Sequence, residues 1–106
     1  MNQIDHSSHW YALRTKARHE KLVRDQLGKQ GIEPLLPTVK RLSQWKDRKK
    51  EIEVPLFSGY CFVRFSQQDK LPVQKTTGVV EIVGSGSRPE PIPEQEINAL
   101  RRLMTS

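Results

Sequence analysis

One cysteine in 106 residues excludes an internal disulfide framework. Cys61 stands inside a strand-like run and reads as a small core residue; a reduced thiol fits a cytoplasmic setting. Long apolar runs are missing, so no membrane span is expected, and nothing resembles a secretory signal. Histidine is scarce too: His6 and His9 have zinc-like spacing, but no second ligand pair follows. Neither a metal site nor a cofactor is therefore expected. Gly84-Ser85-Gly86-Ser87 lacks the lysine ending of a phosphate cradle, and Ser58-Gly59 lacks the flanks of a nucleophile elbow. The acidic residues lie near helix ends, among cations or in loops, with no pair set up for acid–base work. An enzyme is not expected.

What the sequence does have is positive charge. Eighteen Lys and Arg face twelve Asp and Glu, a net charge of +6. In a small domain that balance points to a polyanion, nucleic acid first, or else to solubility alone. At this length one domain with a modest core is expected, with no internal repeat. The three Phe, one of two Tyr and the Cys all fall in Pro55-Leu56-Phe57-Ser58-Gly59-Tyr60-Cys61-Phe62-Val63-Arg64-Phe65. From Tyr60 the residues alternate, with Tyr60, Phe62 and Arg64 on one face and Cys61, Val63 and Phe65 on the other. Apolar bulk on both faces marks a central strand. Gly59 supplies a sharp turn before it, which brings Phe57 and Tyr60 to one lip of the sheet.

In chain order, residues 1–8 read as a disordered polar lead-in and Trp10 to Thr15 as the first strand. Lys16 to Gly31 reads as a helix whose stripe is Leu22, Val23 and Leu27, with Arg18, Lys21, Arg24 and Lys29 opposite. Glu33 to Trp45 is extended because Pro34 and Pro37 forbid a helix interior. It leads into a hairpin whose tip, Lys46-Asp47-Arg48-Lys49-Lys50, is a cation cluster. Lys46, Arg48, Lys49 and Lys50 are candidate phosphate contacts, or else a guard against edge pairing. A short helix near Pro72, a turn at Gly78, a buried strand over Val79 to Val83 and a flexible 84–87 loop follow. A last helix from Pro93 has Ile97, Leu100 and Met104 as its stripe. The fold class is α+β: a mostly antiparallel sheet of four to five strands flanked by two to three helices.

Two binding readings share the central strand. Gly59, Tyr60, Phe62, Val63 and Phe65 match the stacking strand of an RNA-recognition motif, while Ser58 and Cys61 depart from it. That alternative is a module for single-stranded RNA. The other reading draws on His9-Trp10-Tyr11-Ala12-Leu13, Pro55-Leu56-Phe57-Ser58-Gly59-Tyr60, Thr77-Gly78-Val79-Val80 and Arg88-Pro89-Glu90-Pro91-Ile92. In that order and spacing they resemble the N-terminal domain of the NusG family over residues 9–106. Trp45-Lys46-Asp47-Arg48-Lys49-Lys50 gives the chain a likeness to specialised paralogues such as RfaH and UpxY. Ser58 stands where the family usually has Pro, and no KOW domain follows in this sequence.

The resemblance implies an α/β sandwich and a bacterial transcription elongation or antitermination factor. Such a domain docks on the β′ clamp helices of RNA polymerase near the upstream DNA and modulates pausing or termination. It implies Trp10, Phe57, Tyr60 and Phe62 as polymerase contacts; all four also read as core residues. By analogy with RfaH, it places Lys16, Arg18, His19, Gln26, Lys29, Gln30, Thr76 and Thr77 against non-template DNA. Lys and Arg would hold phosphates, and Gln, His and Thr would read a base. A cytoplasmic monomer is expected.

Overall fold

The computed structural model describes residues 7–85 and 88–105; the earlier lead-in, His6, Gly86 and Ser87 lie outside the described residues. The elements are β1 (His9–Thr15), α1 (Glu20–Lys29), β2 (Glu33–Leu35), β3 (Thr38–Trp45), β4 (Arg48–Pro55) and β5 (Tyr60–Phe65). A 3-10 turn leads into α2 (Lys70–Gln74), followed by β6 (Val79–Ile82), β7 (Gly84–Ser85), β8 (Arg88–Pro89) and α3 (Glu94–Thr105). The main sheet is antiparallel, in the order β2-β5-β1-β6, so the alternating Tyr60–Phe65 strand is central as its pattern requires.

Strand register sorts the side chains onto two faces. Tyr11, Leu13, Cys61, Val63 and Phe65 point one way, onto Val23 and Leu27 of α1 and Val73 of α2, in a single core cluster. Each fully buried aliphatic there contributes about 1.5–3 kcal/mol. On the opposite face, Trp10 pairs with Arg64, Ala12 with Phe62 and Arg14 with Tyr60. Helix α3 covers the Trp10 end of this face: Arg101 lies 5.3 Å from the Trp10 ring centre and 3.5 Å from the Glu33 carboxylate. The far end, around Phe62 and Tyr60, is left partly open. Two layers of helix on one sheet give the expected α+β sandwich.

Several sequence expectations need correction. The first helix begins at Glu20 rather than Lys16, because Arg18 turns into the left-handed region (φ 64°) and breaks the run. Leu22 is 39% exposed, since on a 3.6-residue wheel only Val23 and Leu27 face the sheet. The four-cation helix face does not form. Arg18 lies before the helix, Arg24 pairs with Asp25 at 3.0 Å, and the Lys21 ammonium donates to the Glu53 carbonyl at 2.7 Å. The strand expected to be buried over Val79 to Val83 is the edge strand β6, which stops at Ile82 and leaves Val80 exposed. Gly84 and Ser85 pair with Pro89 and Arg88 in a small ladder instead of forming only a loop. Along α3, Ile97 is buried, Leu100 half-buried and Met104 exposed, so the stripe fades toward the C-terminus.

The 33–45 extension splits at buried Leu36 and Pro37: β2 stays in the main sheet, while β3 and β4 form a separate hairpin. Lys46 and Asp47 alone make its turn, with Lys46 at φ 53°, so Arg48 to Lys50 belong to β4 rather than to the tip. Beyond its base the hairpin packs against little else, and the molecule measures 66 × 28 × 26 Å.

Candidate functional site

Between β4 and β5 the chain makes the turn that shapes the lip. Gly59 adopts φ 83°, a conformation costly for residues with a Cβ. Its N–H donates to the buried Glu20 carboxylate at 2.7 Å, and its carbonyl accepts from the Thr15 N–H at 2.8 Å. The Tyr60 N–H donates to the Phe57 carbonyl at 3.2 Å, and the Leu56 N–H to the Pro37 carbonyl at 2.8 Å. The lip is thus tied to β1, α1 and the β2–β3 corner. Glu20 was missed by sequence reasoning: an acidic residue opening a helix is ordinary, and its partner is 39 residues away.

Held this way, Phe57 and Tyr60 are each 39% exposed, and half-buried Phe62 meets the Phe57 ring edge-on at 5.9 Å between centroids. Arg14, beside Tyr60 in register, pairs with Glu81 at 3.2 Å and closes one side of the patch. The fourth aromatic is different. Trp10 is 1% exposed beneath α3, so it supports the open face from inside and presents no docking surface.

The candidate nucleic-acid residues gather on a second rim, where the loop before α1 meets the loop before β6. The Lys16 N–H donates to the Gly78 carbonyl at 2.9 Å, which sets Lys16, Arg18 and His19 beside Thr77. Gly78 is needed there: with φ 95°, an added Cβ would lie 2.9 Å from Val23 Cγ2 and 3.2 Å from His19 Cβ. The Gln30 amide donates to Thr76 Oγ1 at 2.9 Å, and that hydroxyl donates to the Pro72 carbonyl at 2.9 Å. Thr76 is buried and its hydroxyl occupied, so it positions Gln30 and does not reach a base. Lys29 is exposed on the last turn of α1 and half-buried Gln26 sits one turn earlier. Lys46, Arg48, Lys49 and Lys50 are exposed on the hairpin, far along the chain from this rim. Cys61 is buried, and burial pushes its thiol up to about 12, which removes it as a nucleophile near neutral pH.

Residues 8–101 match the family profile described as "Transcription termination factor nusG". The chain belongs to the NusG family. That match decides between the two readings of the central strand. This NusG-family chain is 28% identical over 110 residues to the transcription termination/antitermination protein NusG of Lactococcus lactis, covering 91% of the chain and 60% of the relative. It is 30% identical over 121 residues to the protein of the same name from Deinococcus radiodurans, covering 94% and 62%. The chain therefore spans about three fifths of the length of these relatives, which are named as transcription factors and not as enzymes. A solved structure titled "Domain interaction in Thermotoga maritima NusG" shares the fold, with a TM-score of 0.68 at 23% identity over 93% of this chain and 58% of that one. Among the described residues no helix is long and apolar enough to cross a membrane.

Proposed function

We propose that the chain is a transcription termination/antitermination factor domain that docks on RNA polymerase, at the β′ clamp helices, through Phe57, Tyr60 and Phe62. The observation that carries this reading is the open end of the second sheet face, where Phe57 on a turn anchored to three elements clusters with Tyr60 and Phe62 of β5. Aromatic side chains have few rotors to lose, and a small preorganised cluster is the usual anchor of a compact interface. Docked there, the domain lies beside the upstream DNA and modulates pausing or termination. The second rim, with Lys16, Arg18, His19, Gln26, Lys29, Gln30 and Thr77, faces the non-template strand, as in RfaH-like paralogues. The domain acts as a monomer in the cytoplasm.

The test is an NMR shift titration of the full chain with an isolated β′ clamp-helix fragment. Shifts should cluster from Phe57 to Phe62, and Tyr60→Ala should weaken binding about tenfold in a domain that stays folded. Shifts spread evenly over the sheet, or absent altogether, would sink the docking reading.

A further inference from the structure

The β3–β4 hairpin sorts its charges by face. Register places Arg41, Ser43 and Trp45 on β3 opposite Ile52, Lys50 and Arg48 on β4, all on one side of the ribbon. That side holds three cations and an indole and no carboxylate. Glu51 and Glu53 both point to the other side, where Lys40 pairs with Glu51 at 3.5 Å. Among the described residues, no ion pair neutralises Arg41, Arg48 or Lys50. Trp45 is 65% exposed at the distal end, although an indole is usually at least half covered. Cations that only discourage edge pairing have no reason to be sorted by face, and an exposed Trp works against that purpose. Sorting and exposure together call for a ligand.

We propose that this face of the hairpin binds single-stranded DNA, with an unpaired base stacked on Trp45 and the backbone phosphates held by Arg48, Lys50 and Arg41. Trp45 and Arg48 are a cross-strand pair, so a base on the indole brings its phosphate within reach of the guanidinium. The cationic row then continues toward the hairpin base through Lys50 and Arg41. Duplex DNA fits less well because its bases are already stacked. The face offers no carboxylate or side-chain amide to a ribose 2′-hydroxyl, and its one hydroxyl, on Ser43, is half-buried. The choice of DNA as the strand met in the cell rests on the proposed function; binding to the hairpin does not.

The test uses the full chain, a thymidine dodecamer and no polymerase, so failure of clamp docking leaves it unaffected. The two Trp residues are distinguishable, because Trp10 is buried and Trp45 is not. The dodecamer should quench the exposed emission, and the quench should vanish in Trp45→Phe, which keeps most of the affinity. Trp45→Ala should lose about tenfold or more. Arg48→Gln and Lys50→Gln should each weaken binding and lower the salt slope by about 0.7. Lys49→Gln, on the reverse face of the same strand, should leave both unchanged. Equal effects of Lys49→Gln and Lys50→Gln, or no loss in Trp45→Ala, would overturn the proposal. Tighter binding of a uridine dodecamer would overturn its assignment to DNA.

Discussion

Replacing Glu20 with alanine tests the support of the lip directly. The Glu20 carboxylate is 5% exposed and accepts the Gly59 N–H at 2.7 Å, while Gly59 holds the left-handed turn that sets Phe57 and Tyr60. A hydrogen bond to a charged group is worth about 1.5–3 kcal/mol, and the substitution also leaves a partly buried N–H without its acceptor. Taking about 2 kcal/mol, and 4–8 °C per kcal/mol for a domain of this size, Tm should fall by about 8–16 °C. Glu20→Gln keeps an acceptor oxygen and loses the charge, so its fall should be roughly half as large. Calorimetry reads the stability, and amide shifts read the lip. In Glu20→Ala the resonances from Phe57 to Tyr60 should move, and affinity for the clamp-helix fragment should drop several-fold with no contact residue removed. A Tm within about 2 °C of wild type would refute the energetics. A large fall with unmoved lip resonances would refute the positioning role.

Phe57→Ala removes a half-exposed ring, so it should cost about 1 kcal/mol or less in urea unfolding yet weaken clamp-fragment binding about tenfold. Gly78→Ala should destabilise by about 2 kcal/mol, because its φ of 95° and the 2.9 Å approach to Val23 both penalise a Cβ. Gly28→Ala, in α1 with nothing within 4 Å of the new methyl, should instead stabilise by about 0.5–1 kcal/mol in the same assay. The Cys61 pKa is raised from 9.0 to about 12, mainly by burial, so the thiol's contribution is complete below 9 and is lost as pH rises through that window. Stability should fall by up to about 1.4 kcal/mol per pH unit there, in excess of the fall in Cys61→Ala. Parallel urea curves for the two at both ends of the window would contradict this.

The central strand was legible because its period-two pattern carries apolar bulk on both faces, which fits only a strand covered twice. The first strand and α3 were legible for similar local reasons. The start of α1 was not: Lys16 to His19 is compatible with helix by composition, and only the Lys16–Gly78 and Glu20–Gly59 hydrogen bonds reveal the turn. Trp10 shows the same limit. Alternation places it with Phe62, but which end of that face α3 covers is a tertiary matter. Thr76 read as a candidate base contact because a hydroxyl's occupancy depends on a partner 46 residues away. The hairpin was legible as an element but its tip was drawn too wide. The sorting of its charges needs the register, which the two-residue turn fixes.

That register limits how the hairpin's reach can vary. Inserting one residue opposite another midway along β3 and β4 would lengthen the ribbon and exchange the faces beyond the insertion, carrying Trp45 to the side of Glu51 and Glu53. Two residues added to each strand would restore the faces and move the tip outward by about 6.8 Å. The distance from hairpin root to indole is therefore available only in discrete steps, like a ladder with fixed rungs, so long as the indole and its cations stay on one side.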